Sequence, residues 1–179
     1  MRLFHFSEEA HISRFEPRPS KYHDHPVVWA VDGEGAINLT LPRDCPRVTY
    51  GVGSHTTPAD AERWMSGTTA RRVIAIEAAW LDRVRACTLY EYAMPVDGFV
   101  LDDTHAGYYI SRHAVVPAAR RVIADVLGEL VKHGVELRIL PSLWRLRDQV
   151  AVSTLRFSIS RMRNAAPPAD GYVPKFPVA

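Results

Sequence analysis

Short segments that alternate between apolar and polar residues, or are apolar throughout, recur along this chain. Such segments are typical of half-buried β-strands. The candidate strands cover residues 1–7, 27–31, 47–52, 73–76, 88–95, 107–111, 135–140 and 153–158. They do not alternate regularly with long helices, as a parallel sheet requires. The sequence therefore predicts an α+β fold with a mixed, mostly antiparallel sheet.

Helical spacing is clearest over residues 118–133. The apolar side chains there recur at the period of one helix face, and Gly134 supplies a stop signal. Thr57 followed by Pro58 predicts a second helix start, with the threonine as N-cap. Shorter helices are expected over residues 8–15, 77–84 and 144–150.

The chain has 179 residues, of which 47% are hydrophobic and 23% charged. This is the composition of an ordinary globular protein, and the length suits one domain. We expect a single domain over residues 1–165. Four prolines predict an irregular tail over residues 166–179: Pro167, Pro168, Pro174 and Pro177.

The remaining composition restricts partners and location. A formal net charge of +2 is too weak to indicate nucleic acid by itself. Cys45 and Cys87 are isolated and fit buried thiols better than a disulfide or a metal site. No apolar run approaches the roughly 18 residues of a membrane span, and no secretory signal region precedes the first strand. These features predict a cytoplasmic protein without a membrane partner.

Two polar side chains stand on the otherwise apolar first strand. His5 and Ser7 are two residues apart, so both point to the same face. In one interpretation both side chains form their hydrogen bonds within the protein. They equally fit a ligand site in which imidazole and hydroxyl bind one ribose or phosphate.

The loop that follows contains His23-Asp24-His25. Two imidazoles are potential metal ligands, but the spacing indicates no third ligand, so a solvated loop is the better interpretation. The strong motifs for phosphate, dinucleotide, zinc-protease and serine-hydrolase sites do not occur in the sequence.

The order of several short motifs resembles a known family. The first strand reads Leu-Phe-His-Phe-Ser, a later one Val-Val-Trp-Ala-Val, and Leu-Tyr-Glu-Tyr-Ala-Met-Pro precedes Gly-Phe-Val-Leu-Asp-Asp and Gly-Tyr-Tyr-Ile-Ser-Arg. This order is similar to small ADP-ribosyltransferase-like proteins, especially the rifampicin-modifying kind. The chain also resembles uncharacterised bacterial proteins that open Leu-Phe/Tyr-His-Phe-Ser-Glu and carry Pro-Arg-Asp-Cys-Pro-Arg and Arg-Met-Arg-Asn-Ala.

The first resemblance implies a split β-core and cleavage of the bond between nicotinamide and ribose in NAD. The implied catalytic residues are His5, Asp102, Asp103 and Glu91. The implied NAD-binding residues are His5, Phe6, Ser7, Trp29, Tyr50 and Ser111. In this assignment His5 binds a ribose hydroxyl, Trp29 or Tyr50 stacks on nicotinamide, and a carboxylate holds the reacting ribose. The acceptor stays open among protein, nucleic acid, a small molecule and water.

The chain departs from the family pattern at three points. Ser7 replaces a threonine, Trp29 replaces a tyrosine, and no catalytic glutamate is evident near the C-terminal strand. Ordinary structural roles also suit the assigned residues: Trp29 as a core residue, Asp102 and Asp103 as a solvated turn, and Glu91 as an outward strand residue.

A second hypothesis is a module that binds a nucleotide or RNA without catalysis. Its basis is a basic segment near the C-terminus that includes one aromatic residue, with two further arginines earlier in the chain. The residues are Arg156, Phe157, Arg161, Arg163, Arg43 and Arg47.

Overall fold

The computed structural model describes residues 1–104, 106–168 and 171–177. They form two compact units, each built around its own β-sheet. The first unit comprises residues 1–43 and 87–126, and the second comprises residues 44–86 and 127–179.

Ten strands and four α-helices are found in the described residues. The strands are β1 Leu3–Ser7, β2 Val28–Asp32, β3 Arg47–Gly51, β4 Arg72–Glu77, β5 Leu89–Met94, β6 Val100–Asp103, β7 Tyr108–Ser111, β8 Ala119–Ile123, β9 Val135–Leu140 and β10 Arg156–Ser160. The helices are α1 Pro58–Met65, α2 Leu81–Ala86, α3 Val126–Lys132 and α4 Trp144–Ala151. Short 3-10 helices cover Gly35–Leu39, Ala78–Trp80 and Met162–Asn164.

The first unit contains a six-stranded sheet in the order β6-β7-β2-β1-β5-β8, with every pair antiparallel. The second contains a four-stranded sheet in the order β10-β3-β4-β9, where only the β4–β9 pair is parallel. The predicted α+β class with mostly antiparallel pairing is confirmed.

Each sheet has a face that is packed into a core. In the first unit Leu3, Val28 and Tyr92 pack with Phe15 and Val115, which come from the connecting segments. In the second, one face of the sheet packs against α1 and α4. This core includes Val48, Tyr50, Val73, Leu143 and Trp144. Cys45 and Cys87 are free and buried, as the sequence predicts.

The helix predicted over residues 118–133 is wrong in its first half. Residues 119–123 form β8 on the edge of the first sheet, and only residues 126–132 are helical. Cross-strand contacts stabilise the strand, since Arg121 pairs with Glu91 and the Arg120 guanidinium lies 5.4 Å from the centre of the Tyr90 ring. The tertiary partners therefore override the helical spacing. Gly134 ends the helix with a φ of 66°, as predicted.

The predicted helix over residues 8–15 is also absent. The Tyr92 hydroxyl donates to the Glu9 carbonyl at 2.7 Å and accepts from the Ile12 N–H at 3.1 Å. Phe15 and Val115 exchange two backbone hydrogen bonds. Because these bonds use backbone groups that a helix would need, the segment stays irregular.

Other local predictions are confirmed. Thr57 caps α1 by accepting a hydrogen bond from the Asp60 N–H, and Pro58 opens the helix. The helix predicted over residues 144–150 is α4. The last strand lies two to three residues further along than predicted, at Arg156–Ser160.

The C-terminal segment is irregular where it is described, and it is bonded to α4. Trp144 Nε1 donates to the Ala166 carbonyl at 2.7 Å. Asp148 accepts from the Tyr172 hydroxyl at 2.6 Å and from the Lys175 N–H at 2.8 Å. Residues 169, 170, 178 and 179 of the predicted tail lie outside the described residues.

Within the described ranges, no helix has both the length and the apolar character to cross a membrane.

Candidate functional site at the centre of the first sheet

The two central strands of the first sheet pair over only part of their length. β1 pairs with β5 through all five of its residues, whereas its ladder to β2 consists of Leu3↔Asp32 and Phe4↔Val31. Beyond Phe4 the contact passes to a side chain, since His5 Nδ1 lies 2.8 Å from the Trp29 carbonyl oxygen. We call this region, from His5 to Ser7 and from Val28 to Ala30, the β1–β2 gap.

His5 is held as a neutral imidazole with one free nitrogen. A carbonyl oxygen only accepts, so Nδ1 carries the proton and Nε2 carries the lone pair. Burial lowers the pKa of His5, and the charges of Arg43 and Arg18 add to this effect, while the hydrogen bond to Trp29 opposes it. Nε2 makes no hydrogen bond to the described residues, so it can accept one from a ligand hydroxyl.

His5 and Trp29 lie on opposite faces of the sheet. Phe4 is opposite Val31, so alternation puts Trp29 on the Phe4 face and His5 on the Leu3 face. The His5 ring packs 4.6 Å from Phe15 on its own face. A single ligand that uses both residues must therefore reach across the β1–β2 gap.

Trp29 is surrounded by other aromatic rings. The ring centres of Tyr22, His23 and Tyr108 lie 6.3, 5.4 and 5.8 Å from its own, with both tyrosines edge-on. Tyr22 and His23 come from a loop that a reciprocal pair of backbone hydrogen bonds between Arg18 and Val27 closes, and Tyr108 comes from β7, the strand next to β2. We call these four residues the Trp29 cluster.

Asp102 reaches this cluster from the edge strand β6. Its Oδ1 lies 3.2 Å from Nε2 of His23, and the two side chains are 23% and 17% exposed. The β6–β7 pairing shifts register between Leu101 and Asp103, which leaves Asp102 at the irregularity. Such bulges re-aim side chains. Asp103 instead accepts a hydrogen bond from the Ala106 N–H in the following turn.

The other predicted site residues make contacts elsewhere in the protein. Glu91 receives two hydrogen bonds from Arg121, at 3.0 and 2.7 Å. Ser7 Oγ accepts from the Glu9 N–H, and the buried Ser111 hydroxyl bonds the backbone of His113. Phe6 on β1 lies opposite Glu91 on β5. Tyr50 belongs to the second unit, where it is fully buried in the core.

His25 is paired differently from His23, although both come from the same loop. His25 Nδ1 is 2.5 Å from Asp24, and this hydrogen bond lowers the pKa of the exposed Asp24 carboxyl. In the part of the chain that is described, no three His, Cys, Asp or Glu side chains are arranged to hold a metal ion. Sequence reasoning noted His23 only as a metal candidate and missed Tyr22 and Tyr108. Only the pairing of β2 with β7 brings Tyr108 beside Trp29.

The basic segment of the alternative hypothesis lies largely in the second unit. Phe157 is exposed on β10, next to Arg156. Arg47 is buried and donates to the Cys45 carbonyl at 3.0 Å. Arg47 therefore does not extend an exposed basic surface.

Comparisons with known proteins find one match. Residues 4–165 match a family described as "Family of unknown function (DUF6886)". No curated protein and no solved structure matches the chain. Almost the whole first unit and most of the second lie within the matched range.

Proposed function

The chain belongs to the DUF6886 family, and we propose that it is an ADP-ribosyltransferase-like protein with a split β-core of that type. In this proposal it binds NAD and cleaves the nicotinamide–ribose bond. The observation that carries the proposal is the β1–β2 gap, where a neutral histidine with a free nitrogen bonds the backbone of a tryptophan whose ring lies in an aromatic cluster on the other face of the sheet. The resemblance puts the ribose-binding residue on β1 and the nicotinamide-binding residue on β2.

His5 is suited to orient the ribose. Its Nε2 lone pair accepts a hydrogen bond from a ribose hydroxyl, and its Nδ1–H stays bonded to the Trp29 carbonyl. The ring is held by Phe15, so little side-chain freedom is lost on binding. An oriented ribose is what cleavage requires, because the reacting carbon must be held in one geometry.

Trp29 is suited to hold the nicotinamide ring. In NAD this ring is a cationic pyridinium, and an indole face attracts cations as well as flat rings. Tyr22 and Tyr108 contact Trp29 edge-on, so they fix its orientation.

Asp102 is the carboxylate that best fits the acidic role. Positive charge develops on the ribose as the bond to nicotinamide breaks, and a fixed negative charge stabilises it. Glu91 is neutralised by Arg121, and Asp103 caps a turn. The Asp102 carboxylate lies 3.2 Å from the His23 ring of the Trp29 cluster.

Thermal unfolding and calorimetric titration with NAD test the proposal on wild type, His5→Ala and Trp29→Ala. A ligand that binds only the native state raises the melting temperature. At a free ligand concentration of 100 times Kd, the free energy of unfolding rises by about 2.7 kcal/mol. We expect a shift in wild type and a Kd at least about tenfold weaker in each variant, since each loses a direct contact worth roughly 1.4 kcal/mol.

The exposed His11 provides a matched control. His11→Ala should bind NAD as wild type does. The proposal is overturned if millimolar NAD gives neither heat nor a melting shift in wild type, or if the His5 and Trp29 variants bind as tightly as the control.

A further inference from the structure

We propose that Phe15 and Tyr92 are positioning residues for His5, which hold its ring so that the free Nε2 keeps one orientation toward the ligand. Neither residue belongs to the implied catalytic or NAD-binding set. The identity of the ligand rests on the proposed function, whereas the environment of the His5 ring can be measured without any ligand.

The hydrogen bond to Trp29 does not by itself fix the His5 ring. It joins one ring atom, Nδ1, to the Trp29 carbonyl oxygen at 2.8 Å. The torsion that turns an imidazole about its bond to Cβ is broad, so a ring held at one atom can still swing. His5 also lies beyond Phe4↔Val31, the last residue pair of the β1–β2 ladder. A contact against the ring is therefore needed to keep Nε2 in one place.

Phe15 supplies that contact. Its ring centre lies 4.6 Å from that of His5, and the two ring planes are tilted by 53°. The Phe15 side chain is buried, and its backbone exchanges hydrogen bonds of 2.8 and 2.9 Å with Val115. Because Phe15 is held through both its main chain and its side chain, the imidazole packs against a fixed surface.

Tyr92 holds Phe15 in turn. It lies directly opposite His5 on the neighbouring strand β5, and its ring contacts Phe15 edge-on at 5.2 Å. Its hydroxyl donates to the Glu9 carbonyl at 2.7 Å and accepts from the Ile12 N–H at 3.1 Å. The segment that carries these two backbone groups is irregular, so the bonds to Tyr92 replace those of a helix in fixing it. The contacts thus run from Tyr92 through Phe15 to His5.

A second residue of the same core provides a matched control. Phe15, Tyr92 and Met94 belong to one buried cluster of the first unit. Met94 lies on β5 two residues from Tyr92, but it pairs with Leu3 rather than with His5. Met94→Ala therefore removes a buried side chain from the core and leaves the contacts of His5 in place.

The first measurement is the pH titration of the His5 imidazole by NMR, on folded protein without ligand. Burial lowers the pKa of His5 in wild type. We expect Phe15→Ala to bring this pKa back toward its ordinary value of 6.5, because water reaches the ring once Phe15 is removed. Met94→Ala should titrate as wild type does.

The second measurement is kcat/KM for the release of nicotinamide from NAD. Phe15→Ala should lower it by at least about tenfold, since a small displacement of an orienting group is costly to catalysis. Tyr92→Phe keeps the ring against Phe15 and should cause a smaller loss. Phe15→Leu keeps an apolar side chain beside His5 and should recover part of the activity. Met94→Ala should stay within about threefold of wild type.

Melting temperatures show which variants are folded at the assay temperature, and Phe15→Leu replaces Phe15→Ala in both measurements if the alanine variant does not fold. The proposal is overturned if the Phe15 variant titrates as Met94→Ala does. It is also overturned if wild type is active and the Phe15 variant cleaves NAD as fast as Met94→Ala. If wild type does not bind NAD, the proposed function fails, and the titration alone decides whether Phe15 holds His5.

Discussion

A buried ion pair in the second unit and a partly buried histidine in the first are held in different ways. In the second unit Arg147 and Asp148 form an ion pair at 2.8 Å with side chains only 4% and 1% exposed, and the C-terminal segment bonds to both residues. In the first unit His5 bonds the Trp29 carbonyl through Nδ1, and its Nε2 makes no hydrogen bond to the described residues. The comparison teaches that burial of a polar group does not by itself mark a candidate site, because Arg147 and Asp148 are buried and paired with each other.

The largest expected effect is on the buried pair. Asp148→Asn removes the charge that balances Arg147 and leaves a buried cation without its counter-ion. Breaking a buried pair in this way costs about 3–5 kcal/mol. Denaturant unfolding measures this loss in the free energy of unfolding. Asp82→Asn, which removes the carboxylate of an exposed pair with Arg85, should cost less than about 1 kcal/mol. Equal losses in both variants would show that the second unit does not depend on its buried pair.

A smaller effect is expected at Tyr92. Tyr92→Phe keeps the ring in the core but removes the hydroxyl that bonds the Glu9 carbonyl and the Ile12 N–H. Unmade hydrogen bonds of partly buried backbone groups cost about 1–3 kcal/mol. Thermal unfolding should show this loss, while Tyr22→Phe, at an exposed ring, should match wild type. A Tyr92→Phe protein as stable as wild type would mean that water replaces the hydroxyl without cost.

Acid should reduce the stability of wild type partly through His5. Its pKa in the folded protein lies below the ordinary 6.5, mainly because of burial, so below pH 6.5 the unfolded chain binds the proton more strongly. The contribution of His5 is therefore fully present above that pH and declines as the pH falls. His5→Gln should lose less stability than wild type between pH 7.5 and 5.5, as measured by denaturant unfolding at each pH. An unchanged pH dependence would contradict the assigned neutral imidazole.

The smallest effect is expected at Glu91. Its pair with Arg121 lies at the sheet edge, where such pairs contribute about 0.2–1 kcal/mol. A double-mutant cycle with Glu91→Gln and Arg121→Gln should give a coupling in this range and leave NAD affinity unchanged. If Glu91→Gln instead abolishes nicotinamide release at equal stability, Glu91 is the catalytic carboxylate and Asp102 is not.

Local signals in the sequence predict many of the strands and helices. Alternation predicts the strand around His5, a short apolar run predicts the strand at Trp29, and Thr57-Pro58 predicts the start of α1, because these signals depend on neighbouring residues. The helical spacing over residues 118–133 fails since the contact of Arg121 with Glu91 joins residues 30 positions apart. No local pattern contains that partner.

The candidate site was predictable residue by residue but not as an arrangement. His5 and Trp29 stand out as polar or large side chains on apolar strands, yet their opposite faces follow only from the register Phe4↔Val31. The pairing of His23 with Asp102 joins a loop to an edge strand across 79 positions and depends on the irregularity between Leu101 and Asp103. The sequence shows His23-Asp24-His25 but not which histidine has a distant carboxylate.

The most direct measurement of the central claim is proton NMR of millimolar NAD incubated with the purified protein and, in parallel, with His5→Ala. The account predicts that wild type releases nicotinamide in molar excess over protein, and that the His5 variant releases it at least about tenfold more slowly. NAD that stays intact and unbound with folded wild-type protein would contradict the account. The free nitrogen of His5 would then have to serve a different ligand.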